Sequence, residues 1–147
     1  MTFNHITPAI LPKSYDDLVR HLDRVSGIVK TVQVDVVDGV LAPNKTWPFV
    51  QDTDGQFLKI LRQEEGLPYW DSIDYEIDLM VSDPVFVSDQ WIAAGANRIV
   101  IHVKSLQKKH CLNWLRIHMI KVSVCHLQLS NLLWNSLKSI CNILHLR

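Results

Sequence analysis

The residues that this sequence lacks are lacking mainly in one part of it. From position 105 to position 147 there is no aspartate, glutamate, glycine or proline, although the whole chain holds fifteen acidic residues, five glycines and six prolines. Without glycine, this segment cannot build the loops in which backbone N–H groups close on a phosphate, because a Cβ would block the approach. Without acids, its six Lys and Arg leave a net +6, against −6 for residues 1–104 with fifteen acidic and nine basic residues. Cysteine is scarce as well. Cys111, Cys125 and Cys141 form no CxxC pair, which excludes a disulfide framework and a structural zinc site. Histidines 110, 118, 126 and 145 fit no metal-ligand spacing. No apolar run approaches the ~20 residues of a bilayer span, and no cationic leader precedes an apolar core. The 147 residues, 48% hydrophobic and 20% charged, are ordinary globular composition. One soluble, cytoplasmic domain is expected, with no membrane or nucleic-acid partner.

What is present in residues 1–104 has a rhythm. The run HITPAIL (5–11) is short and apolar, and SYDDLVRHLDRVSG (14–27) follows with Leu18, Val19, Leu22 and Val25 at helical spacing, a serine cap before them and a glycine after. TVQVDVV (31–37) is β-branched, as a buried strand requires. GQFLKILRQEEG (55–66) predicts a helix with a glycine stop, YEIDLMV (75–81) a strand, DPVFVSDQWIAAG (83–95) a helix with proline in its first turn, and RIVIHV (98–103) a fourth strand. Four alternations of strand and helix imply parallel strands joined by crossover helices.

Two acids interrupt this pattern at its most apolar point. Asp35 lies inside the second strand near its end, and Asp38 opens the following loop. In α/β folds, chemistry gathers where parallel strands end, since there the loops open and side chains from several strands converge. A carboxylate in a buried strand is costly unless it is paired, hydrogen-bonded or metal-bound. Asp35 is therefore either an active-site acid or a paired structural group. Asp38 fits the same two roles, although its Asp-Gly pair is also ordinary turn chemistry.

The segments ITPAIL, VQVDVVDGVLAPN, DYEIDLMV and AGANRIVIHV, in this order and at these intervals, resemble the N-terminal half of the ribulose-phosphate 3-epimerase family. The resemblance covers residues 5–104 and implies a partial TIM (β/α)8 barrel of about four units. It further implies a phosphorylated sugar as substrate and epimerisation at carbon 3, with a proton removed beside a carbonyl and returned to the other face. A divalent metal (zinc, iron, manganese or magnesium) lowers the energy of the enediolate in such chemistry. Asp35 matches the family's first catalytic and metal-binding aspartate. Met80, Asp38 and Asn44 match positions near the substrate, and His102 stands where the family tends to carry a histidine.

The departures concern the metal. Gln33 and Asp78 stand where the family places its two histidines, so the candidate ligands here are Asp35, Asp78 and Gln33. An amide and two carboxylates suit a harder cation than two imidazoles do. Ala9 replaces a serine and Val37 a methionine. The family's second aspartate and phosphate loops belong to units seven and eight, and residues 105–147 contain no aspartate or glycine to supply them.

Residues 105–147 form the second expected region, a basic and helical tail. Leu129, Leu132, Leu133, Leu137, Ile140 and Leu144 recur at helical spacing, as for a docking segment. The abrupt change of composition is also what a reading-frame shift near position 105 produces. A half-barrel with two open edges and an apolar inner face is expected to self-associate. Besides catalysis, two further readings apply: a barrel that binds a phosphosugar without turning it over, and an interaction module that uses the tail.

Overall fold

The computed structural model describes residues 6–50, 52, 54–102 and 122–125, the last four as backbone. Five strands form one sheet in the order β1-β2-β3-β4-β5, every neighbouring pair parallel. They are β1 (Ala9–Ile10), β2 (Thr31–Val37), β3 (Asp74–Met80), β4 (Arg98–His102) and β5 (Val122–Cys125). Helices α1 (Tyr15–Val25), α2 (Gln56–Leu61) and α3 (Pro84–Ala93) provide the first three crossovers. This is an α/β fold with the sequential parallel order of a partial TIM barrel.

The helices begin and end where local chemistry directs. Ser14 accepts a hydrogen bond from the Asp17 backbone N–H at 3.1 Å and caps α1. Asp83 caps α3 through the Phe86 N–H at 3.1 Å, with Pro84 in the first turn, where its missing N–H costs nothing. Helix α2 is shorter than its apolar spacing predicts. It stops at Leu61 because Gln63 turns to a φ of 60°, which a helix cannot continue through.

One side of the sheet packs on the helices. Val32, Val34, Val36, Ile77, Leu79, Ile99 and Ile101 meet Leu18, Leu22, Phe57, Ile60 and Trp91 in a single core. At about 1.5–3 kcal/mol for each fully buried aliphatic side chain, this layer supplies most of the driving force for folding. Trp47, from the loop after β2, joins it and stacks edge-on against Phe57 and Trp91 at centroid distances of 5.4 and 5.8 Å. That contact anchors the β2–α2 loop over the C-terminal ends of the strands.

Two expectations require correction. The opposite side of the sheet is not apolar: alternation in the register places Gln33, Asp35, Glu76, Asp78, Arg98 and His102 there. An apolar inner face therefore cannot drive self-association. In residues 105–147, expected as helical, Val122–Cys125 form β5, in register with Ile99–His102. The leucine-rich stretch of 129–144 lies outside the described residues, as do the histidines 110, 118, 126 and 145.

Candidate functional site

The site is built by register. Asp35 on β2 stands opposite Asp78 on β3, and Val37 opposite Met80, so each strand sends alternate residues to the same face near its C-terminal end. Gln33 stands opposite Glu76, and Glu76 opposite Arg98, one layer below. Ala9 of β1 lies in the Gln33 layer. Asp35 is 9% exposed and Glu76 8%, unusually low values for carboxylates.

Asp35, Glu76 and Asp78 on this face each have a partner from the sheet. The Gln33 amide Nε2 donates to Asp35 Oδ1 at 2.7 Å. Arg98 Nη1 donates to Glu76 Oε2. His102 Nε2 lies 2.8 Å from Asp78 Oδ1, and a proton is shared along that line. Burial pushes the Asp78 carboxyl above the usual carboxylate range; the His102 ring opposes this, and the neighbouring Asp35 charge reinforces it. Two adjacent carboxylates in a dry layer are thus made tolerable by donors on both flanks.

The end of β2 is held in place by Thr46. Its hydroxyl donates to the Asp35 carbonyl at 2.7 Å and accepts from the Val37 N–H at 2.9 Å, while its own N–H bonds the Val37 carbonyl at 3.0 Å. Thr46 is 3% exposed, so these bonds are shielded from water. The backbone from Asp35 to Val37 is thereby fixed.

Asp38 has a different position and task. Its Oδ2 accepts from the Ser82 N–H and hydroxyl, both at 2.7 Å, and its Oδ1 accepts from the Val40 N–H at 2.9 Å. Burial works to raise its pKa, but these bonds outweigh it and hold the carboxyl below the usual range. Asp38 ties the loop after β2 to the loop after β3. Gly39 beside it adopts a φ of 88°, and a Cβ there would meet the Lys45 side chain at 3.0 Å, which accounts for the Asp-Gly pair. Asn44 is exposed in the same loop, and Met80 is half-buried at the end of β3.

The structure thus brings Gln33, Asp35, Asp78 and His102 together, with Met80 on the same face, and places Asp38 and Asn44 at the rim. Reasoning from the sequence missed Thr46, Ser82 and the Glu76–Arg98 pair. The last of these carried a faint signal, since both residues occupy the inward phase of strands that otherwise read as apolar. A cleft of about 680 Å³, lined by Leu67, Trp70 and Tyr75 among others, opens at the opposite, N-terminal ends of the strands, remote from these acids. In β/α barrels that end serves stability rather than chemistry.

The ribulose-phosphate 3 epimerase family model matches residues 5–130, which includes every described strand. The chain belongs to the ribulose-phosphate 3-epimerase family. No curated protein matches it. The family implies a phosphorylated sugar and raises the question of a divalent metal. Among the described residues, no three His, Cys, Asp or Glu converge so as to hold one. Of the side chains present, Gln33 turns its donor nitrogen to Asp35 and has only a weak, neutral carbonyl oxygen to offer, while His102 Nε2 is engaged with Asp78. The described residues therefore do not fit the family's metal.

Proposed function

We propose that this chain is a ribulose-phosphate 3-epimerase-like protein whose proton chemistry rests on Asp35, acting on a phosphorylated ketose. The observation that carries the reading is the position of Asp35: a 9% exposed carboxylate at the C-terminal end of a parallel strand, with its backbone fixed by Thr46, inside the span matched by the family. A carboxylate so placed can remove the proton at carbon 3, made acidic by the adjacent carbonyl. Gln33 orients it by holding Oδ1, which leaves Oδ2 as the oxygen that takes the proton. Burial excludes water that would otherwise compete as acid and base. Met80, half-buried beside Val37, offers an apolar surface to the carbon skeleton.

The experiment is a coupled assay with D-ribulose 5-phosphate, run together with deuterium exchange at carbon 3 in D2O. Asp35→Asn is expected to lower turnover and exchange by roughly 10²–10⁴-fold. If wild type and variant exchange deuterium equally, Asp35 does not carry the chemistry. Exchange without inversion would mean that one of the two faces is served and the other is not, since inversion needs a proton carrier on each side.

A second reading, binding of a phosphosugar without turnover, is favoured by the departures at Gln33, Asp78 and Ala9. It predicts that ribulose 5-phosphate raises the melting temperature while the C3 hydrogen stays in place. The reading-frame proposal for residues 105–147, together with self-association through the open sheet edges, completes this account. Accurate re-sequencing of the codons from position 100 onward tests the first, and sedimentation of the intact chain tests the second.

A further inference from the structure

A divalent ion on the inner face would need at least three convergent donors with lone pairs aimed at one point. The side chains at that place are aimed at one another. Asp35 and Asp78 stand side by side in register, and each has an oxygen engaged by a neighbour on its own side: Gln33 Nε2 at 2.7 Å and His102 Nε2 at 2.8 Å. An amide nitrogen carries no available lone pair, so the end of Gln33 that faces Asp35 is a donor, and Gln33 has only a weak, neutral carbonyl oxygen to offer in place of an imidazole. Whichever of His102 and Asp78 holds the proton between them, the ring Nε2 is either protonated or accepting and offers no lone pair to an ion, so only carboxylate oxygens are left as ligands at that position. Glu76, in the layer below, is bound by the Arg98 guanidinium, whose fixed charge repels a cation there.

We infer that this member of the family has exchanged a metal site for internal hydrogen bonds, Gln33–Asp35 and His102–Asp78, and that the described inner face, which holds the carboxylates of Asp35 and Asp78 but neither of the imidazoles the family resemblance implies, takes up no divalent cation. The two positions at which the family resemblance implies imidazole ligands are the two that changed, Gln33 and Asp78. Asp78 also has a new partner, His102, from the neighbouring strand. The substitutions are complementary: losing the imidazole at position 78 removes a ligand, and the carboxylate put in its place captures the ring of His102.

The test measures binding, so its outcome is independent of turnover. Intact protein is stripped with a chelator and dialysed against zinc, iron(II), manganese and magnesium in turn, beside an Asp35→Asn/Asp78→Asn variant, and bound metal is measured by mass spectrometry. Equal metal content in the two proteins is expected for every ion. Manganese is also titrated against the wild type while the His102 ring signals, assigned by their loss in His102→Gln, are followed by NMR; these are expected to keep their width, since a bound paramagnetic ion would broaden them beyond detection. Stoichiometric metal lost in the variant, or selective broadening of His102, would overturn the inference. A protein that binds metal and turns over would sink this inference and leave the functional reading standing. One that binds none and exchanges no C3 hydrogen would do the reverse.

Discussion

Val32, Val34 and Val36 face the helices and are wholly buried, whereas Gln33 and Asp35, which alternate with them along the same strand, face the other way and are held by hydrogen bonds. The same contrast runs through β3, where Ile77 and Leu79 are 0% exposed on one side and Glu76 and Asp78 are paired with Arg98 and His102 on the other. Both sides are shielded from water, the outer one wholly and the inner one in part, and they obey different rules. The outer side is stabilised by apolar transfer and tolerates nothing that needs solvation. The inner side contributes little to folding and survives only because each charge has a specified partner, a pattern that suits a reactive surface.

That contrast can be broken at four points. The largest effect is expected from a charge on the wrong side. Val34→Asp places an unpaired carboxylate among Leu18, Val36 and their neighbours, and should cost at least about 4 kcal/mol, enough to abolish the cooperative melting transition. A folded, cooperative Val34→Asp protein would mean that the outer face is wetter than its exposure indicates.

Next comes the loss of one member of an inner pair. Arg98→Ala leaves Glu76, 8% exposed, without its cation. The arginine is itself 45% exposed, so screening tempers the effect, and about 1–3 kcal/mol is expected from urea denaturation. The double variant Arg98→Ala/Glu76→Ala should recover part of that loss, because it removes the stranded charge.

A smaller effect is expected at the rim. Asp38→Asn weakens three hydrogen bonds to Ser82 and Val40 and should lower stability by about 1 kcal/mol near neutral pH. The pH dependence follows from the depressed carboxyl of Asp38. The unfolded chain binds the proton more readily than the folded one, so the contribution of Asp38 is complete above the ordinary aspartate range and is lost as pH falls through the lower folded value. The gap in melting temperature between wild type and Asp38→Asn should therefore close from about pH 5 towards pH 2. A gap that widens on acidification would reverse the assigned sign.

The smallest stability change should come from the residue with the largest chemical role. Asp35→Val removes a buried charge beside Asp78 and should alter stability by less than Asp38→Asn does, in either direction. Turnover, if Asp35 is the proton carrier, should vanish. A severe loss of stability would show instead that Asp35 is a structural acid.

Much of this arrangement could be read along the chain, and the part that could not has a common cause. Strand and helix periods, the Ser14 and Asp83 caps, and an acid at the end of β2 are local features, set by side chains within a few residues of one another. The pairs that make the site are separated by long intervals: Asp78 with His102, Glu76 with Arg98, Asp38 with Ser82. Thr46 lies eleven positions beyond Asp35, across the loop that follows β2. No local propensity specifies which residue of one strand stands opposite which residue of the next.

From the residue order alone came the alternation of parallel strands and helices, the acid near the end of the second strand and the replacement of two expected histidines by Gln33 and Asp78. Those follow from period, composition and position, which are properties of a single strand. The register between strands was decided only in the tertiary structure. It made the inner face a set of matched pairs rather than an apolar surface, brought His102 to Asp78, and placed residues 122–125 in the sheet. Packing of helices on the outer face selects that register, because a slip by one residue would turn the valines to the inner face and press the acids against the helices.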